Sequence, residues 1–390
     1  AMRVLTDPVE TGTATVSIPQ DVQAEAHDWP VSLFAERTWH VARPLPERSV
    51  IARAAEVIAS AAKPLIIAGG GVHYSVAEEA LAALATRTGI PVGESQAGKG
   101  SLPYDHPQSV GAIGSTGTTA ANTLAAEADV VIGIGTRYSD FTSASRTAFN
   151  NPDVRFVNIN VASLDSVKQG GISVVADARE ALEALGAALG SYAVSDEYRS
   201  RVSELATEWD DTVSSVYATE DGAQLNQNQV IGLVNTLSDP RDVVVCAAGS
   251  MPGDLHKMWR TRDRKGYHVE YGYSCMGYEI AGGIGVRMAA PDRDVVIFPQ
   301  DENAWGLYLP GHGATGRTNE DVAGLPRARS RAPWRTARAR GRSFGESQRA
   351  SARSPRMPMR ASRPAAHPQT FGCWLCGAVL ESGLAPLLFA

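Results

Sequence analysis

Cysteine is scarce in this chain, lysine disappears from one long stretch of it, and no apolar run suggests a membrane span. The 390 residues contain four cysteines, Cys246, Cys275, Cys373 and Cys376. They are too few and too scattered for a disulfide framework, which points to a reducing, cytoplasmic setting. Cys373 and Cys376 have the spacing of a metal or redox pair, but no second pair and no histidine at ligand distance accompany them, so no metal site is expected there. Residues 1–7 are not followed by the apolar core of a signal peptide. The apolar end, 371–390, is interrupted by Glu381 and Pro386, so no membrane partner is expected. A net charge of −6 gives no global reason to expect nucleic acid either.

From about 311 to 370, arginine takes roughly one position in five and lysine is absent. A stretch rich in Arg, Ala, Pro, Ser and Gly, with few β-branched residues, cannot bury enough apolar surface to offset its chain entropy. Residues 299–390 are therefore expected to form an aberrant, disordered tail. Its abrupt start reads as coding sequence out of frame rather than as a basic arm.

What the chain has in quantity is alternation of strands and helices. A helix is expected over 47–61, a buried strand over 64–68, and a turn at Gly69-Gly70-Gly71 into a helix over 76–88. Strands at 90–92, 130–134, 155–159 and 172–175 follow, with helices near 118–128 and 178–189. This spacing predicts an α/β fold: a Rossmann-like central domain over 44–190, with a parallel sheet and helices on both faces. Neither Gly69-Gly70-Gly71 nor Gly133-Ile134-Gly135 completes a dinucleotide fingerprint, so tight turns are favoured over a nucleotide site. Before this domain, 13–18 reads as a strand and 19–22 as a turn or short helix. One strand cannot bury a face alone, so 1–43 is expected to be the remnant of a larger domain plus a linker. Residues 191–224 read as a connecting helix with a solvated acidic face.

The most informative stretch is 243–298, a second α/β unit that is partial by pattern. Strand 243–247 leads through Gly249-Ser250-Met251-Pro252-Gly253-Asp254 into a helix at 255–259. An extended segment at 267–273, a glycine-rich helix at 274–285 and a strand at 295–298 complete it. A loop rich in Gly and Ser that leads from a buried strand into a helix can aim backbone N–H groups, and the helix dipole, at an anion. That is the chemistry of a diphosphate seat.

Residues 255–259 and Cys275-Met276-Gly277 resemble the cofactor-binding segments of the thiamine-diphosphate enzymes. The resemblance implies a partial thiamine-diphosphate-binding domain over 225–298, with Gly249, Ser250, Gly253, Asp254, His256, Cys275, Met276 and Gly277 as candidate cofactor residues. Met276 would support the bent cofactor, and the loop and His256 would meet its phosphates. Residues 19–26 resemble the end of the family's pyrimidine-binding domain. That domain's activating Glu would precede this sequence, so no catalytic residue is assigned.

Residues 71–75, 94–100, 111–117 and 135–141, together with 271–279, resemble the branch of that family that opens a trihydroxycyclohexanedione ring in inositol breakdown. The resemblance implies a hydrolase acting on a cyclic polyol-derived diketone, with thiamine diphosphate and Mg²⁺ as cofactors and a homodimer or homotetramer as the intact assembly. An acetolactate-synthase-like carboligase and a non-enzymatic Rossmann-like binding domain remain alternatives. Where the family has Gly-Asp-Gly, this chain has Pro299-Gln300-Asp301-Glu302-Asn303. Asp301 stands at the metal position without its glycines, and no Asn follows at the family's spacing, so no metal ligand is assigned. The chain as it stands is expected to be an inactive fragment. Lys99, Arg137 and Asp140 are weaker substrate candidates, with bonds to loop carbonyls as the bland alternative, and His73 and His106 read as turn histidines.

Overall fold

The computed structural model describes residues 1–220, 225–247, 249–270, 272–273 and 275–298, and the backbone of 307–309. All of them lie in one compact unit, Ala1–Thr315. The tail expected from 299 onward, including Asp301 and the Cys373 and Cys376 pair, otherwise falls outside the described residues.

The central sheet is made of β1 (Pro64–Ala68), β2 (Val92–Glu94), β3 (Ser109–Ala112), β4 (Val130–Ile134), β5 (Arg155–Asn160) and β6 (Ile172–Val175). They run parallel in the order β3-β2-β1-β4-β5-β6. Every residue of β1 and β4 is buried, as expected of central strands covered on both faces. Helices cover both faces as the alternation predicted. They are α1 (Arg48–Ala59), α2 (Gly70–Tyr74), α3 (Glu78–Thr88), α4 (Thr119–Glu127), α5 (Ala178–Ala188) and α6 (Asp196–Tyr217). Arg43 fastens the linker to this domain: its guanidinium meets Asp177 at 2.9 Å and donates to the Ser75 carbonyl at 2.8 Å. Asp177 in turn caps α5 by accepting from the amides of Arg179 and Glu180.

A second sheet follows helix α7 (Gln227–Leu237) and contains β7 (Val243–Cys246), β8 (Tyr267–Val269), β9 (Val295–Ile297) and β10 (Leu307–Leu309), in the order β10-β9-β7-β8. β7 pairs in parallel with β8 and with β9, while β10 is antiparallel to β9. Helices α8 (Ser250–Met258) and α9 (Tyr278–Ala289) leave the carboxyl ends of β7 and β8. Gly283 lets α9 lie on the sheet, since a Cβ there would stand 2.4 Å from Ile297 Cδ1.

Four expectations shift. The glycine-rich helix expected over 274–285 runs over Tyr278–Ala289 instead, entered through the αL turn at Gly277. Residues 13–18 form no strand. The segment before α1 holds only short helical turns at Met2–Leu5, Gln20–Gln23 and Val31–Phe34, with nothing buried. Val16 and Ile18 are exposed, and an extended segment without a ladder partner has no reason to register as a strand. Helix α8 begins at Ser250 rather than 255, because Gly249 turns the chain at φ 103° and Pro252 is tolerated in a first helical turn. β8 stops at Val269 because the Glu270 carboxylate draws the chain round, accepting from the Tyr273 and Cys275 amides at 3.0 and 2.9 Å.

Candidate functional site

Helix α8 has two unlike ends. At its amino end Gly249 and Ser250 are exposed, and among the described residues no side chain caps the first turn. With Pro252 lacking an N–H, the Ser250 and Met251 amides head a helix whose dipole favours an anion. Gly253, one turn in, sits against the central domain, where a Cβ would come 3.0 Å from Thr116 Cγ2. Asp254 is held by Gln227 Nε2 at 2.7 Å and by Lys257 at 3.8 Å.

The other end is buried in the central domain. His256 is 1% exposed, and its two ring nitrogens lie 2.8 Å from Thr116 Oγ1 and 3.1 Å from the Glu94 carbonyl. A carbonyl can only accept, so Nε2 carries the proton and donates to Glu94, while Nδ1 accepts from the Thr116 hydroxyl. Burial, with the Lys99 charge adding to it, pushes the imidazole down to about 3. Lys99 Nζ donates to the His256 carbonyl at 2.9 Å, and the Tyr217 hydroxyl donates to that of Met258 at 2.7 Å. Gln96 links the same layers: its Nε2 donates to the Pro252 carbonyl at 3.4 Å, and its Oε1 accepts from the Tyr267 hydroxyl at 3.3 Å. The carboxyl end of α8 is thus fastened and its amino end presented.

The start of α9 is the neighbouring feature, since both helices rise from the carboxyl ends of adjacent parallel strands. Gly277 caps α9 at φ 87°, and its N–H donates to Glu279 Oε2 at 2.9 Å. Cys275 and Met276 are exposed, Met276 at 74%. The structure therefore brings Gly249, Ser250, Cys275, Met276 and Gly277 to one edge of the second sheet. It commits both nitrogens of the buried His256 ring to the central domain instead.

In the central domain the order of strands reverses between β1 and β4, where such sheets take ligands. There two backbone bonds join the turns: the Gly71 N–H donates to the Gly135 carbonyl at 3.0 Å, and that of Gly69 to the Ile134 carbonyl at 2.8 Å. A Cβ on Gly71 would stand 2.5 Å from Gly135 Cα. These glycines serve the close approach of two turns, the reading favoured over a nucleotide fingerprint.

Comparison with known proteins settles what kind of scaffold this is. Residues 51–185 match the family model described as thiamine pyrophosphate enzyme, central domain. Residues 247–301 match thiamine pyrophosphate enzyme, C-terminal TPP binding domain. Two domains of the thiamine pyrophosphate enzymes are thus present in the chain.

Relatives within the family carry the name 3D-(3,5/4)-trihydroxycyclohexane-1,2-dione hydrolase. One from Bacillus cereus (strain AH820) is 43% identical over 325 residues, covering 77% of this chain and 50% of the relative. One from Geobacillus thermodenitrificans (strain NG80-2) is 44% identical over 335 residues, covering 80% and 51%. The chain spans about half the length of the curated relatives it matches. Its resemblance to the thiamine-diphosphate enzymes and to this hydrolase branch is thereby shown.

Sequence reasoning missed the fastening of the family's C-terminal domain onto its central domain. Lys99 does bond a carbonyl, the bland alternative, but the carbonyl belongs to the other sheet's helix. No local pattern around 94–99 announces partners more than 150 residues away. His73 bridges Glu78, at 3.0 Å, and the Lys99 carbonyl, at 3.1 Å; His106 lies 3.2 Å from Thr86 Oγ1. Arg137 and Asp140 are exposed, and the Arg137 carbonyl accepts from Lys168.

Proposed function

We propose that this chain is the central and diphosphate-binding part of a hydrolase that opens a cyclic 1,2-dione, as its relatives' name describes for them. Thiamine diphosphate would be seated through the amino end of α8. The observation that carries the reading is the polarity of that helix: an exposed start at Gly249-Ser250 that no side chain among the described residues caps, and a buried, anchored finish at His256 to Met258. Two helical amides, a glycine at positive φ that lets backbone approach a ligand, and the positive end of the dipole suit a diphosphate.

When bound, thiamine diphosphate supplies a carbon nucleophile that attacks a carbonyl and takes up the electrons of the bond that breaks. The chain's own part is to bind and orient. The Ser250 and Met251 N–H groups would donate to phosphate oxygens, and the Ser250 hydroxyl would add a donor. Met276, exposed beside the αL turn at Gly277, would give the cofactor's rings an apolar support. Asp254 and His256 would act from behind, Asp254 through Gln227 and His256 through Thr116 and Glu94, rather than as direct phosphate contacts.

Among the described residues, no group of three or more His, Cys, Asp or Glu stands together as a metal site. Asp301, where the resembled enzymes place a Mg²⁺ ligand, lies beyond the described residues, and no step is derived through the ion. A homo-oligomeric, cytoplasmic enzyme of inositol breakdown is the setting this reading implies. No helix among the described residues is long and apolar enough to cross a membrane.

Calorimetric titration of the full chain with thiamine diphosphate tests the seat. Saturable binding by the wild type, weakened at least about tenfold by Ser250→Asp through like-charge repulsion at the phosphate, is expected. Equal affinity in the two proteins would place the diphosphate elsewhere. Ring opening of a trihydroxycyclohexanedione by this chain is not expected of an inactive fragment, and measurable turnover would overturn that expectation.

A further inference from the structure

The diphosphate seat lies at one end of α8, while the strongest unexplained chemistry lies at the other. Lys99 is buried, at 5% exposure, on the turn after β2 in the central domain. A buried ammonium is costly unless something specific holds it. Its Nζ is 2.9 Å from the His256 carbonyl and 5.7 Å from the centre of the Tyr267 ring. The carbonyl is not an arbitrary acceptor. His256 sits in the last turn of α8, and the amide four residues on, that of Arg260, donates to Asn235 Oδ1 instead. The His256 carbonyl is one of the helix's leftover acceptors, at the negative end of its dipole, where a cation is favoured. Glu94, whose Oε1 accepts the Gly100 and Leu102 amides at 3.1 Å each, shares the buried space.

We propose that Lys99 is a positioning residue for the anion seat: reaching across from the central domain, its ammonium caps the carboxyl end of α8 at the His256 carbonyl and thereby sets where the exposed Gly249-Ser250 end points. The proposal rests on the reading of that end as a diphosphate seat. It assigns Lys99 a function through the helix rather than contact with a substrate. Lys99, His256, Thr116 and Glu94 then form one clamp: the ring bonds fix the roll of α8 about its axis, and the ammonium fixes its end. Gln96 and Tyr267 close the sides.

Amide hydrogen exchange on the full chain, with inorganic pyrophosphate as the probe ligand, tests this. In Lys99→Met the amides of Ser250–Met258 are expected to exchange at least about tenfold faster, the consequence of leaving a buried acceptor without a donor. Protection of β4 should be unchanged, and Lys99→Arg should retain most of the protection. Pyrophosphate affinity should fall about tenfold in Lys99→Met and recover in the Arg variant.

A pH profile separates positioning from packing. Burial holds the ammonium at about 8 against 10.5 when free, so an undocked Lys99 binds its proton more tightly than a docked one. Raising the pH from 8 to 9.5 therefore favours docking, and wild-type opening should fall roughly tenfold relative to Lys99→Met. Glu94, His256, Cys246 and Tyr267 face the position, and the first three feel the Lys99 charge, so the ratio reports Lys99 together with its effect on them.

A methionine that merely filled the space would protect α8 as well or better; that result overturns the proposal. So does loosening of α8 and β4 together. If the wild type binds no pyrophosphate while Lys99→Met still loosens α8 alone, the seat reading falls and the anchor is upheld.

Discussion

Acid should pull the two sheets apart at His256, and the size of the effect follows from its surroundings. The ring is neutral when docked, donating to the Glu94 carbonyl and accepting from Thr116. Burial and the nearby ammonium push its pKa down to about 3, from 6.5 in the unfolded chain. The unfolded state therefore takes up a proton at pH 6.5 that the folded site refuses until about pH 3. This contribution to stability is fully present above 6.5 and is lost as the pH falls towards 3, at a limiting slope of about 1.4 kcal/mol per unit. Between pH 7 and pH 5 the loss comes to about 2 kcal/mol.

His256→Gln keeps a donor near Nε2 but cannot titrate. It should be less stable than wild type at pH 7, and the gap should shrink by about 2 kcal/mol at pH 5. Urea unfolding of both proteins at the two pH values measures it. Glu94, held above the usual carboxylate range by burial, and Glu78, held below it by His73 against the opposing effect of burial, titrate in both proteins and subtract out. A gap constant to within about 0.5 kcal/mol would show that His256 is not the buried neutral ring described here.

Other outcomes follow from single residues. Gly277 sits at φ 87° with open space where a Cβ would go, so Gly277→Ala should cost about 1–2 kcal/mol from strain alone, and Gly277→Asn less, by denaturant titration. Gly71→Ala drives a Cβ to 2.5 Å from Gly135 Cα and should cost about 3 kcal/mol or more, read as a fall in thermal midpoint. Asn226→Ala removes the capping box with Gln229 at the start of α7 and should cost about 1 kcal/mol. The His73 ring, raised by its bond to Glu78 although burial opposes it, should titrate below 6.5 in Glu78→Gln by NMR.

The central sheet was legible because β1 and β4 are unbroken apolar runs, Pro64–Ala68 and Val130–Ile134, bounded by turn residues, and the structure places them where the pattern put them. β3 escaped notice because Ser109–Ala112 carries a glycine at positive φ and leads into a loop read as loop throughout. α7 escaped although Asn226 and Gln229 spell a capping box. The family was legible from its loops, but the start of α8 was not, because 249–254 read as a loop. The direction in which His256 faces was not legible either, since a histidine in the last turn of a helix can look along the seat or behind it. Only the packing of Thr116 and Glu94 against α8 decides between them.

The most direct test is residue-resolved amide exchange at Ser250 and Met251 during a thiamine diphosphate titration of the full chain. A diphosphate seat at the amino end of α8 predicts saturable protection of those two amides, in step with calorimetric binding and abolished by Ser250→Asp. Saturable binding that leaves both amides exchanging as before would contradict it.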